Sequence, residues 1–205
     1  MKSKKIVLAS NNLKKLKELT AALPDSFMLY PASEFDIDSP PETGTTFVEN
    51  AIIKARHSSA ISGLSAIADD SGLEVDFLDC APGIFSSRFA GESASDEQNS
   101  AKLLADLEGV PTDQRTARFR CVLVYLRHEL DPMPIIAAGT WEGSIVQTPT
   151  GDKGFGYDPI FFVPTHGVTA ASLDSKTKNR ISHRGQAVAK LILKLSSPQS
   201  LGSIE

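Results

Sequence analysis

Residues 46–63 specify both ends of one helix. Thr46 followed three positions later by Glu49 is the pairing in which a hydroxyl and a carboxylate take up the free N–H groups of a helix start, and Gly63 supplies a residue suited to end it. The helix in "TGTTFVENAIIKARHSSA" feeds directly into "LSAIADDSGLEVDF", two apolar runs flanking Asp69-Asp70-Ser71-Gly72. That tetrapeptide reads as a carboxylate-rich turn at a strand end. A helix that delivers the chain into a strand buries its apolar stripe on a sheet, so the first half of the chain is expected to be built of strand-helix units.

The same alternation opens the sequence. Lys5 to Ala9 is a short apolar run, Ser10, Asn11 and Asn12 are capping types, and Leu13, Leu16, Leu19 and Leu23 recur at helical spacing up to Pro24. Ser95 with Gln98 opens a third helix that runs through Leu107 to Gly109. Thr116 to Leu126 and Ile135 to Val146 read as long strands in antiparallel pairing, and Val188, Leu191, Ile192 and Leu195 mark a last helix, with a frayed tail from Ser196 on. The expected fold is α/β: a long mixed β-sheet flanked by helices, in one domain spanning residues 1–205.

Charge narrows the function. A net charge of -4 and a pI near 5.6 argue against a general nucleic-acid or membrane-surface binder, so any anion site must be local. No apolar run approaches the roughly 18 residues of a membrane span, and "MKSKKIVLAS" turns polar too soon for a signal peptide, which predicts a cytoplasmic protein. Cys80 and Cys121 have no C-x-x-C spacing and read as small buried hydrophobes.

Four segments carry chemistry. In "SNNLKK", Lys14 and Lys15 fall in a helix's first turn, where cations are disfavoured unless an anion lies nearby; a strand-turn-helix start is also a common phosphate cradle. No Walker string is present. Glu42 in "PPETGTTF" joins Asp69 and Asp70 as hard oxygen ligands of the kind Mg²⁺ takes alongside phosphate. Adjacent residues of a strand end point to opposite faces, so only one of the two aspartates is expected to face a given site. In "TGDKGFGYDPIFFVP" the glycines do not fit the dinucleotide pattern, but they let backbone approach a flat ligand while Phe155 stacks on it. In "KNRISHRGQA", Ser182 can cap the last helix, with His183 and Arg184 in its first turn and Lys178 and Arg180 adding charge. The absence of H-x-x-x-H and H-E-x-x-H speaks against zinc. A phosphate cradle, a carboxylate pair, a stacking ring and a set of directional donors together describe a site for a nucleoside triphosphate.

The strings "SNNLKK", "ETGTTFVENAIIKAR", "AIADDSGLEVD", "APGIFSSRFAG", "GFGYDPIFFVP" and "ISHRGQA" occur in an order that resembles the inosine/xanthosine triphosphate pyrophosphatase family, from about Lys4 to Leu195. The resemblance implies an elongated two-lobed α/β structure with a central cleft, usually a homodimer. It also implies an Mg²⁺-dependent hydrolase that converts ITP, dITP or XTP to the monophosphate and pyrophosphate. By position, Ser10, Asn11, Asn12, Leu13, Lys14 and Lys15 would hold phosphates, Asn12 and Lys15 foremost, with Lys54 adding a contact. Glu42 and Asp70 would bind Mg²⁺, and Asp70 would accept the proton, although the residues alone leave Asp69 open for that role. Ser71 would touch substrate; Phe155, Gly156, Tyr157 and Asp158 would form the base platform, and Lys178, His183 and Arg184 would complete the nucleoside pocket. Many relatives have Gly where Lys14 stands. Alternatives are a pyrophosphatase for other modified nucleotides and a nucleotide- or nucleic-acid-binding module without turnover, which the acidic pI disfavours.

Overall fold

The computed structural model describes residues 4–196, so the tail expected to fray beyond Ser196 lies outside the described residues. Among the described residues seven strands form one mixed sheet in the order β2-β1-β3-β4-β5-β6-β7. The strands are β1 (Lys4–Leu8), β2 (Phe27–Pro31), β3 (Ser65–Val75), β4 (Thr116–Leu126), β5 (Ile135–Ile145), β6 (Phe161–Val163) and β7 (Val168–Thr169). The helices are α1 (Leu13–Ala22), α2 (Phe47–Ser62), α3 (Asp96–Asp106), α4 (Ser175–Ile181) and α5 (His183–Ser196).

β1 pairs in parallel with β2, Ile6 opposite Leu29, and with β3, Val7 opposite Ala66. β6 pairs antiparallel with both β5 and β7. β4 and β5 are sheet neighbours whose link, 127–134, is shorter than the dozen or more residues of a parallel crossover, so they form a hairpin. Asp131 braces that link: its carboxylate accepts the Arg127 backbone N–H at 3.0 Å and the Met133 N–H at 3.0 Å.

The chain divides into two compact units, each assembled from separate stretches of sequence. The first takes residues up to Asp70, Cys121–Ala138 and the chain from Gln186 on; the second takes Ser71–Arg120 and Gly139–Gly185. The first has a core around Ile6, Leu8, Leu123, Tyr125 and Leu191 and another around Val7, Ala51, Ala55, Ala66 and Val124. The second has its own, around Leu73, Leu103, Phe119, Trp141 and Phe161. Among the described residues no helix is long and apolar enough to cross a membrane.

Two capping boxes form as the sequence specifies, Thr46 with Glu49 and Ser95 with Gln98, and Gly63 ends α2 at φ 66°. Two expectations need correction, and one helix was not foreseen. Asp69-Asp70-Ser71-Gly72 is not a turn at a strand end but the middle of the eleven-residue strand β3. Its carboxylates remain in the strand because cations from two helices meet them there. Cys121 is buried as expected, but Cys80 is exposed, in a turn at φ 67°. The stretch before His183 forms the short helix α4, capped by Asp174, whose carboxylate accepts the Thr177 N–H.

Candidate active site

One cluster of charge lies in the first unit and is organised by β3. Successive strand residues point to opposite faces. Asp69 ion-pairs with Lys15, and Asp70 pairs with Lys54 at 2.6 Å. Lys15 reaches its partner from the first turn of α1, which begins directly after β1 where Ala9 N–H bonds to the Ile67 carbonyl. Asn12 caps that helix, its Oδ1 accepting the Lys15 N–H at 3.2 Å, and the Ser10 hydroxyl accepts the Asn12 N–H at 3.1 Å. The counter-anion called for by a first-turn lysine is therefore supplied by the protein itself, as Asp69. Asn11 is exposed, and the side chains of Leu13 and Lys14 lie outside the described residues.

Lys54, on α2, shares its ammonium between Asp70 and Glu42, the latter at 3.1 Å. Burial pushes the Asp70 carboxyl above the usual carboxylate range against the pull of Lys54, with Glu42 and Asp69 adding to the upward shift. The Lys54 ammonium is itself penalised by burial, but the three carboxylates around it win and raise its pKa.

Mg²⁺ needs only one or two protein carboxylates when water and phosphate oxygens complete its shell. Glu42 and Asp70 fit that requirement: both reach one ammonium, and Asp70 Oδ2 is buried with no hydrogen-bond partner among the described residues. A buried acceptor oxygen without a counterpart is uncommon and calls for an explanation. Among the described residues no group of three or more His, Cys, Asp and Glu gathers into a self-sufficient cage. The pair suits a cation that brings its own remaining ligands.

A second cluster lies in the second unit around the loop 150–158. Phe155 has the Lys178 Nζ 5.2 Å and the Arg184 Cζ 5.7 Å from its ring centroid. Asp158, buried, ion-pairs with Lys178 and accepts the Phe155 N–H at 2.8 Å, so one carboxylate orients both the ring's backbone and one of its cations. Gly154 passes so close to that carboxylate, at φ 82°, that a Cβ would overlap Asp158 Oδ2 and sit 2.9 Å from Lys178 Nζ. Arg184 also donates to Ser71 Oγ at 3.2 Å, and Ser71 is the residue after Asp70 in β3. The Ser182 hydroxyl accepts the Gly185 N–H at 3.2 Å, the expected cap of α5. The His183 ring is buried and stacks on Phe119, centroids 4.7 Å apart and planes 14° from parallel.

Tyr157 differs from a base platform. It is buried in the core and its hydroxyl donates to the Ser86 carbonyl at 2.7 Å, a burial that pushes its phenol pKa up. Gly156 is held by residues that sequence reasoning did not single out: its N–H donates to Asp96 at 2.7 Å and its carbonyl accepts from Ser100 at 3.4 Å. Asp96 is the first residue of α3, and only the tertiary fold connects it to a loop so distant in sequence.

A strand-organised charge cluster in one unit and a ring framed by cations in the other are features of a nucleotide-handling α/β protein, and the comparisons with known proteins give the family. Residues 6–194 match the model of the Ham1 family, and the chain belongs to it. A Photobacterium profundum protein named dITP/XTP pyrophosphatase is 58% identical over 93% of this chain and 98% of its own length. One of the same name from Escherichia coli O157:H7 is 56% identical over 92% and 96%. Among solved structures, a HAM1 protein from Coxiella burnetii matches with a TM-score of 0.90 at 50% identity, covering 94% of this chain and 98% of that one. A nucleoside-triphosphatase / dITP/XTP pyrophosphatase from Mycobacterium abscessus matches at 0.77 and 41%, covering 92% and 98%.

Proposed function

We propose that this protein hydrolyses non-canonical purine nucleoside triphosphates, dITP, XTP and ITP, to the monophosphate and pyrophosphate, removing them from the cytoplasmic nucleotide pool. The observation that carries the reading is the ammonium of Lys54 shared by Glu42 and Asp70, with the second oxygen of Asp70 left buried and unpartnered. A purine nucleoside triphosphate has what both clusters call for: a chain of anionic phosphates that travels with a divalent ion, and a flat base with acceptor atoms. The names of the relatives supply the substrate class.

Glu42 and Asp70 are the residues that hold Mg²⁺ in this reading, and the ion supplies neutralisation of the charge that builds on the phosphates. Lys15 and Lys54 bind the phosphate chain, the first from the opening turn of α1 and the second from the middle of α2. Asp70 accepts the proton of the attacking water, a role suited to a carboxyl whose pKa burial has raised. Asp69 serves instead as the anchor of Lys15, its oxygen already committed to that ammonium. Phe155 stacks on the base, and Arg184, which can only donate, hydrogen-bonds the acceptors of a 6-oxo purine; the 6-amino group of adenine would leave those donors unpaired. The whole chain acts as one domain in this reading, and as a homodimer, which sedimentation would check.

The test is turnover of dITP, XTP, ITP, GTP and ATP with and without Mg²⁺, scored as pyrophosphate against orthophosphate. Pyrophosphate release from the first three, dependent on Mg²⁺ and at least about 10²-fold faster in kcat/KM than from ATP, is the expected result. Orthophosphate as the product, or equal rates with ATP, would refute the reading.

A further inference from the structure

Two side chains at the start of α2 tie down the loop that carries Glu42. Glu49 closes the capping box, its Oε2 accepting the Thr45 N–H at 2.8 Å and the Thr46 N–H at 2.9 Å. Asn50, the next residue, makes a bond that capping does not require: its Oδ1 accepts the Gly44 N–H at 2.9 Å. The Asn50 side chain is wholly buried, at 0% exposure, and its Nδ2 has no hydrogen-bond partner among the described residues. Gly44 can come this close because it lacks a side chain; a Cβ there would lie 2.6 Å from Glu49 Cβ and 2.8 Å from Asn50 Oδ1.

A leucine at position 50 would fill a similar volume without stranding an amide donor in the interior, a cost that a buried polar group otherwise avoids. The physical reason for asparagine is therefore its oxygen, and that oxygen holds the backbone two residues beyond Glu42. Four residues further along α2, on the same face as Asn50, Lys54 takes the Glu42 carboxylate at 3.1 Å. One stripe of α2 thus grips the loop at its backbone through Asn50 and at its acidic side chain through Lys54.

We propose that Asn50 is a positioning residue: through the Gly44 N–H it fixes the backbone from which Glu42 presents its carboxylate to the divalent ion. The inference rests on the reading of Glu42 and Asp70 as the metal pair. It predicts that the Asn50 bond acts on metal affinity and leaves nucleotide recognition alone, because the backbone it holds is that of the loop carrying Glu42, while the cations framing the Phe155 ring are Lys178 and Arg184.

The experiment is a titration of the full-length protein with Mn²⁺, followed by electron paramagnetic resonance, on the wild type and on Asn50→Ala, Asn50→Asp, Gly44→Ala and Glu42→Gln. Groups that orient a metal ligand typically contribute about 10–100-fold to affinity. Asn50→Ala and Gly44→Ala are expected to weaken Mn²⁺ binding by about 10-fold or more and to raise the Mg²⁺ needed for half-maximal turnover by a similar factor. The nucleotide KM at saturating Mg²⁺ stays within about twofold, since the base contacts are untouched. Asn50→Asp, which keeps an acceptor for the Gly44 N–H, restores most of the lost affinity. Amide hydrogen exchange of residues 43–46 speeds up in Asn50→Ala while the α2 amides beyond Lys54 keep their protection, which reads loop release separately from unfolding.

Wild-type Mn²⁺ affinity in folded Asn50→Ala overturns the proposal, as does an Asn50→Asp variant no better than Asn50→Ala. Should Asn50→Ala fail to fold, unchanged Mn²⁺ binding in Gly44→Ala overturns it alone. If Glu42→Gln binds Mn²⁺ as the wild type does, the metal reading itself is wrong and this inference falls with it. If Glu42→Gln loses Mn²⁺ and folded Asn50→Ala does not, only the inference falls.

Discussion

In the first unit, Lys15 and Lys54 are each seated on an aspartate of β3, Asp69 on one face of the strand and Asp70 on the other. In the second unit, Lys178 and Arg184 gather over the ring of Phe155, and their direction comes from what surrounds that ring: the buried Asp158, the Ser71 hydroxyl and the bare backbone of Gly154. One cluster is set by charge pairing at fixed strand positions, the other by clearance and packing. The contrast teaches that removing a charge should disable the first while sparing its shape, whereas adding a single methyl should disturb the second with every charge intact.

The sharpest way to break this contrast is Asp70→Asn. We expect turnover to fall by about 10³-fold, as loss of a positioned proton acceptor that is also a metal ligand requires, with far-UV circular dichroism unchanged. Pyrophosphate release within tenfold of the wild type would remove Asp70 from the mechanism. Next in size, Arg184→Ala should narrow the dITP to ATP ratio of kcat/KM by about 10²-fold, because a hydrogen-bonding reader discriminates far more than shape does. An unchanged ratio would take Arg184 out of that role. Gly154→Ala, which changes no charge, is expected to raise KM by about 10-fold as the loop moves off Asp158, with a smaller change in kcat. A KM equal to that of the wild type would show that packing does not position Phe155.

The smallest effect concerns stability. Because burial raises the Asp70 carboxyl pKa, the folded protein holds that proton more tightly than the unfolded chain does. As pH climbs through the ordinary carboxylate range the unfolded chain releases its proton first, so Asp70 costs stability above that range and nothing well below it. Asp70→Asn should therefore raise Tm at pH 7, in metal-free buffer, and the gain should vanish in acid. A variant that melts lower than the wild type at neutral pH would mean that the bond to Lys54 outweighs the burial cost.

Local chemistry made much of the fold legible in the sequence. The capping boxes at Thr46 and Ser95 and the stop at Gly63 depend on residues within a few positions of one another, and they form as the spacing predicts. The sequence misled where distant partners decide. Asp-Asp-Ser-Gly has the composition of a turn, yet Lys15 and Lys54 from two helices neutralise its carboxylates and the strand runs through it. α4 has no buried residue and so no apolar periodicity to reveal it; Asp174 ahead of Thr177 is the one signal that could have done so. The same holds at the candidate site. The charged residues were named from their motifs, whereas Asp96, Ser100 and Asn50 act through backbone bonds that only the tertiary fold creates.

The ammonium that lies against both Glu42 and Asp70 has a practical consequence. Small metal-organised domains collapse when a chelator strips them, since nothing else holds their ligands together. Here a permanent internal counter-ion offsets the two acids, so exhaustive EDTA dialysis should yield a silent yet fully folded protein that regains its catalysis when the divalent salt is restored.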